Sequence, residues 1–302
     1  MFDTINKNKI QSLGIVFAFI VVITLILYYV FLALDFGPMA IIISLIFSIG
    51  SAWASYYYSD KIILSMNKAR PATKEENLKL VNILDSLMVS SGLEHLPQLY
   101  VVEDSQPNAF ATGRDPKHSV ICVTTALLNK LDYYELEGVI AHEMGHIKNY
   151  DIRLSAIVTV MVGFVVMLSD MFSRALFWGR TRDRDNDSGN SNAILLLIGL
   201  IFLILSPIFS KLMQLAVSRK REFLADATAV EFTRNPDGLI SALQKLSSDP
   251  NELKTANNAT SHMYVVNPFR KNAIGSKKKK TSNIWSTHPS TQDRIEALRN
   301  LA

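Results

Sequence analysis

The chain has 302 residues, 49% of them hydrophobic, a formal charge of +4 and a single cysteine. One cysteine excludes an intramolecular disulfide and any cysteine-based zinc knuckle, and Cys122, inside the apolar run Val120-Ile121-Cys122-Val123, reads as a core residue. Nor does the charge point to nucleic acid: Lys277, Lys278, Lys279 and Lys280 form one run in a Ser/Asn-rich stretch without interleaved aromatics, so no nucleic-acid partner is expected.

Residues 13–34 carry no charge and are long enough for the ~20 apolar residues of a bilayer-spanning helix, whereas a cleavable signal peptide has only about 7–15 before a small-residue cleavage site. A retained first transmembrane helix is expected here. After Asp35, residues 36–59 are again uncharged, and Ser48, Gly50, Ser51, Ala52 and Ala54 suit close helix packing, which makes a membrane hairpin. Residues 74–91 have the apolar spacing of a helix, and 98–103 and 118–124 read as short strands. Between the strands, Asn108-Ala109-Phe110-Ala111-Thr112-Gly113 alternates and ends in glycine, the pattern of an edge strand or its turn.

His142-Glu143-Met144-Gly145-His146 fits His-Glu-x-x-His in a segment that should be helical: Asp132 and Glu135 make a capping box, and Leu136, Val139, Ile140, Met144 and Ile147 keep an apolar face. Residues four apart lie one above the other on a helix, so both imidazoles can reach one metal ion. Glu143 borders the same face and is placed to act as general base rather than to ligate. A catalytic site of this kind needs a third protein ligand and an open fourth position.

Residues 154–178 and 193–217 are further candidate spans, interrupted by Asp170 and Arg174, which can pair on one face, and by Pro207 and Lys211. They form a second hairpin that returns the chain to the same side of the membrane. There Arg221-Glu222-Phe223-Leu224-Ala225-Asp226 presents two carboxylates four apart; one can bind the metal while the other accepts a hydrogen bond from the free ring nitrogen of a ligand histidine. By composition, residues 254–283 read as a mobile loop, with His262 in or beside it and His95 and His118 on the surface.

The expected organisation is a transmembrane hairpin at 1–59, the first part of the catalytic domain at 60–153, a second hairpin at 154–217, and the rest of the catalytic domain at 218–302. Lys7 and Lys9 precede the first span, and Arg219, Lys220 and Arg221 follow the last, so the soluble parts face the cytoplasm by the positive-inside rule. The loop holding Arg180, Arg182 and Arg184, which alternate with Asp183, Asp185 and Asp187, argues against that orientation.

With these motifs the chain resembles the HtpX-type membrane metalloproteases, which share their zinc motifs with the CAAX prenyl proteases. The resemblance covers the two amino-terminal spans, residues 108–113 and 141–146, two more spans, 221–226, Asn267-Pro268, and His288-Pro289 followed by Arg294. It implies an α-helical membrane protein with a mainly α (α+β) zincin-like catalytic domain and four transmembrane helices. It also implies one Zn2+ per chain, Glu222 as third ligand beside His142 and His146, and Asp226 behind the ligands. His288 would help hold substrate or the tetrahedral intermediate, with Arg294 also at the substrate. An extended substrate could pair with the strand at 108–112, making Asn108, Ala109 and Phe110 substrate contacts, while Asn108 reads equally well as a turn-forming side chain. The implied role is stress-linked quality control in the bacterial inner membrane, with membrane proteins or unfolded polypeptides as substrates. A CAAX prenyl protease proper carries more spans and a longer chain. Ser290 is expected to cap a final helix carrying Ile295, Leu298 and Leu301.

Overall fold

The computed structural model describes residues 2–33, 35–182, 218–255, 259–266 and 289–301. The first hairpin is α1 (Phe2–Ala33) and α2 (Met39–Tyr57); Asn8–Leu32 and Met39–Tyr57 are each long and apolar enough to cross a bilayer. The face of α2 turned inward is Ala40, Ser44, Ser48, Ala52 and Ser55, a stripe of small side chains that lets the two backbones approach. The Thr24 and Ser48 hydroxyls pair across that contact at 2.6 Å. Of the small residues expected there, Ser48 and Ala52 lie in the stripe, whereas Gly50 is exposed.

After α3 (Ser59–Met66) come β1 (Arg70–Pro71) and α4 (Lys74–Ser91). The remaining strands are β2 (Gln98–Val102), β3 (Ala109–Gly113) and β4 (Ser119–Thr124), and the sheet order is β1-β2-β4-β3. β2 runs parallel and β3 antiparallel to β4, so the alternating stretch forms an edge strand. Every residue of β3 is nevertheless buried. Cys122 sits in β4 at 1% exposure, a core position.

A short helix, α5 (Thr125–Lys130), leads to α6 (Tyr133–Lys148), which carries the His-Glu-x-x-His motif. Its capping box is present: Glu135 N–H donates to Asp132 Oδ1 at 3.0 Å, and Asp132 N–H donates to Glu135 Oε2 at 2.9 Å. The same Glu135 carboxylate accepts from Ser241 Oγ at 2.5 Å and Lys245 Nζ at 2.7 Å, which ties α6 to a later helix. α6 is buried nearly all round among the sheet, α8 (Arg219–Thr233) and α9 (Pro236–Ser248).

Two glycines make that packing possible. A Cβ on Gly138 would lie 2.8 Å from Leu239 N and 2.9 Å from Leu239 Cα, and one on Gly145 would lie 3.3 Å from Ala225 O. Gly145 thus lets α8, with its two carboxylates, approach the motif. Gly138→Ala gains about 1 kcal/mol of helix propensity, but its methyl meets backbone that cannot swing aside. Overpacking of this kind typically costs about 1–3 kcal/mol, so net destabilisation is expected. A thermal melt in detergent checks this; a higher melting temperature would show that α9 yields freely.

α7 (Asp151–Arg182) is a 32-residue helix covering the third apolar segment. It leaves α6 at 83°, with Tyr150 at φ 59° in the corner. Two described helices span a bilayer by length and apolarity, or three if α6 and α7 are counted together. Residues 193–217, the expected fourth span, lie outside the described residues. The final helix, α10 (Thr291–Arg299), is capped by Ser290, whose Oγ accepts from Asp293 N–H at 3.1 Å. Its buried face includes Ile295 and Leu298, whereas Leu301 is exposed.

Candidate metal centre

α6 and α8 cross so that His142, His146 and Glu222 each offer a ligand atom, all within 4.8 Å of one another. His142 Nε2 and His146 Nε2 are 3.2 Å apart, His146 Nε2 is 3.6 Å from Glu222 Oε1, and His142 Nε2 is 3.9 Å from Glu222 Oε2. Tetrahedral ligands about 2.0–2.1 Å from an ion stand about 3.4 Å from one another, so this set fits one metal ion.

The far sides of the rings fix which nitrogens face inward. His142 Nδ1 is 2.9 Å from Asp226 Oδ1, and His146 Nδ1 is 3.0 Å from Asp151 Oδ2. With each Nδ1–H donating to a carboxylate, both Nε2 atoms turn inward 3.2 Å apart, where a metal ion could sit or, without one, a proton on His146 bridges them. The electrostatics agree. Burial opposes charging His146, but Asp151, Glu222 and Glu143 outweigh it and push the imidazole up to about 9. His142 moves down, through burial and then the Arg294 guanidinium, and stays neutral. The site thus favours positive charge at the position where a metal ion could bind.

Asp226 is held from behind. Arg294 donates from Nε to Oδ2 at 2.8 Å and from Nη2 to Oδ1 at 2.6 Å. Burial works against the Asp226 carboxylate, yet the guanidinium and His142 keep it below its ordinary range. Arg294 was expected at the substrate. Instead it is 2% exposed, forked onto Asp226 and donating from Nη1 to the Val265 carbonyl at 3.1 Å. It orients the residue that orients His142.

Glu143 is 2% exposed, and burial, reinforced by the Glu222 charge and opposed by His146, pushes its carboxyl up to about 7. It lines a cavity of about 30 Å3 with Ala111, His146, Asp151, Glu222 and His262, room for a water molecule. Two of these liners were not foreseen as site residues. His262, read from the sequence as lying in or beside a mobile loop, is 3% exposed, with Nε2 3.3 Å from Thr159 Oγ1. Asp151 stands five residues beyond His146, a spacing that brings them together only because the chain turns at Tyr150.

Asn108, Ala109 and Phe110 flank this cavity without lining it. The Asn108 amide brackets Val266, donating from Nδ2 to its carbonyl at 2.7 Å and accepting from its N–H at 3.3 Å. The Ala109 carbonyl accepts from Val265 N–H at 3.1 Å, and Phe110 packs edge-on against Tyr264. The first residues of the β3 edge are therefore paired with the chain's own segment, whereas Ala111 faces Glu143. His288 lies outside the described residues.

Residues 74–302 match peptidase family M48. The chain is 41% identical over 298 residues to the protease HtpX homolog of Dictyoglomus thermophilum, covering 99% of this chain and 94% of that protein. It is 42% identical over 302 residues to the protease HtpX homolog of Tropheryma whipplei strain TW08/27, covering 100% of this chain and 98% of that one. Among solved structures, the crystal structure of S. mikatae Ste24p is similar at 20% identity and a TM-score of 0.48, over 99% of this chain and 67% of that one. With a metal-binding cluster at the junction of membrane helices and a peptidase domain, the chain is a membrane metalloprotease and belongs to peptidase family M48.

Proposed function

We propose that this protein is a zinc-dependent endopeptidase of the bacterial inner membrane that cuts misfolded or damaged membrane proteins in stress-linked quality control. The observation that carries the reading is the convergence of His142, His146 and Glu222, with both Nδ1 atoms tied to carboxylates and the Glu143 carboxyl beside them. Two imidazole nitrogens and one carboxylate form a borderline donor set suited to zinc, with three protein ligands leaving one position open. When bound, zinc lowers the pKa of water toward 7 and polarises a peptide carbonyl.

The chain's own residues do the rest. Glu143, which borders the three converging ligand atoms without belonging to them, takes the proton of the attacking water and returns it to the leaving amine. Asp226 and Asp151 keep His142 and His146 in the tautomer that turns Nε2 inward. An extended substrate that takes the place of the 265–266 segment on the β3 edge would reach Ala111 beside Glu143, using main-chain hydrogen bonds that ignore sequence, as a degradative enzyme requires. His288 donates to the oxygen that gains charge during attack.

The cytoplasmic orientation has support from the hairpin end nearest the catalytic domain. There Lys9 lies over Tyr150, Lys61 over Tyr58, Arg114 over Tyr57 and Arg153 over Tyr56; the tyrosines suit either interface, and the four basic side chains are the ones that favour the cytoplasmic side.

Detergent-purified protein stripped by a chelator should lose cleavage of an unfolded polypeptide and regain it with about one zinc per chain; full activity after stripping would refute the metal mechanism. In intact cells, with Cys122→Ala as background, a membrane-impermeant maleimide should label Asp35→Cys but not Val89→Cys, although Val89 is 88% exposed. The reverse pattern would put the catalytic domain outside and remove the quality-control reading.

A further inference from the structure

We propose that Asn8, at the membrane-entry end of α1, is a positioning residue of the metal centre that holds the His146 ring through Asp151. The inference rests on His146 being a metal ligand.

Asn8 is 3% exposed although the residues after it, Lys9 and Ile10, are exposed. A buried amide needs protein partners, and this one has two in the corner between α6 and α7. Its Nδ2 donates to Asp151 Oδ1 at 2.7 Å and to the Asn149 carbonyl at 3.0 Å. The other oxygen of Asp151, Oδ2, accepts from His146 Nδ1 at 3.0 Å. One carboxylate is thus held by α1 on one side and aims the imidazole on the other.

The second contact steadies the same corner. Asn149 is the C-cap of α6, where helix carbonyls lack intrahelical partners, and Asn8 supplies a donor to one of them. Tyr150, between the two residues Asn8 bonds, adopts φ 59°, unusual for a bulky side chain, and the Lys9 ammonium sits 4.4 Å from its ring centroid. Residues 8 and 9 therefore grip all of 149–151, the corner that brings Asp151 back onto His146. A side chain 143 residues upstream completes the support of a site whose ligands all come from the peptidase domain.

The consequence is a link between the membrane anchor and the metal. A displacement of α1 along the bilayer normal moves Asn8, leaves Asp151 Oδ1 with only the more distant Arg221 guanidinium at 4.0 Å, and loosens the ring it aims.

The test uses the full chain in detergent, with zinc affinity measured by competition with a chromophoric chelator and ligand geometry read from the visible spectrum of the Co(II)-substituted protein. Loss of a partner that orients a metal ligand typically costs about 10–100-fold in affinity. Asn8→Ala should weaken zinc binding by about 10-fold and shift the Co(II) bands, with the helical circular dichroism unchanged. In an Asp151→Ala background the same substitution should add well under half of that loss, because the path to His146 through Asp151 is already broken and only the Asn149 contact is left to lose. Should Asn8→Ala fail to insert, Asn8→Ser, whose hydroxyl is too short to reach Asp151, reads the same quantities. Wild-type zinc affinity and spectrum in these variants, or an equal loss in the Asp151→Ala background, would overturn the link. A wild-type chain that binds no zinc at all would overturn the metal-centre reading and this link with it.

Discussion

Glu143→Gln should abolish proteolysis while the protein keeps about one metal ion per chain. The side chain borders the metal cluster without belonging to it: the three atoms that converge are those of His142, His146 and Glu222. Glutamine preserves the volume in a site that is 2% exposed, so no cavity or clash follows, but an amide cannot accept and return a proton. Positioned proton transfer is typically worth about 100- to 10,000-fold, and here the loss should fall at the upper end because the group serves both steps. Metal content by atomic absorption and cleavage of an unfolded polypeptide are the two readings; near-normal cleavage would sink the assignment.

The same substitution has a consequence for stability that separates charge from chemistry. Burial raises the Glu143 pKa from 4.5 to about 7, so in the metal-free protein the folded state binds this proton more tightly than the unfolded state does. The resulting stability is fully present below pH 4.5 and is lost as pH rises through 7. Glutamine, neutral throughout, escapes that loss. Metal-free Glu143→Gln should therefore melt with wild type at low pH and above it at pH 8.

How legible was this site before the structure? The parts carried by local pattern were plain. The capping box at Asp132, the four-residue spacing of His142 and His146, the alternation at 109–113 and the uncharged blocks of the first hairpin all follow from periodicities within a few residues. What stayed hidden depends on contacts that no period encodes. Asp151 would lie on a different helix face from His146 if α6 continued; only the left-handed Tyr150 turns it back. Arg294 reads by resemblance as a substrate-contacting residue, yet it is buried on Asp226, 68 residues away in sequence. His262 sits in a single turn of irregular chain, and composition marked that region as mobile. The pairing of Val265 with Ala109 likewise joins segments with no shared pattern. The residues that converge at the candidate site thus follow local spacing, whereas most of those that hold them come from distant or turned segments.

Glu222→Ala should lose the metal along with activity, and the neighbours explain why the loss is expected to exceed that of any supporting residue. Glu222 is 6% exposed and supplies the sole carboxylate of the converging set. Arg294 Nη1 lies 3.7 Å from its Oε2, and the Arg221 guanidinium is buried on the same cavity wall. With the carboxylate gone, two imidazoles would have to hold a dication beside buried guanidinium charge, in surroundings that screen poorly. Affinity should fall by more than about 100-fold, beyond the roughly 10–100-fold typical for an outer partner. Asp226→Ala provides the contrast. It leaves all three converging atoms in place, so metal binding should weaken within that smaller range, while Arg294, stripped of its forked partner, destabilises the fold by about 3–5 kcal/mol. Compared in metal-free form, the two variants separate a ligand from a support: Glu222→Ala fails in metal titration and melts nearer to wild type than Asp226→Ala, which binds metal but melts early. If Glu222→Ala bound zinc as tightly as wild type, the third ligand would have to be another group, with the Glu143 carboxylate nearest at hand.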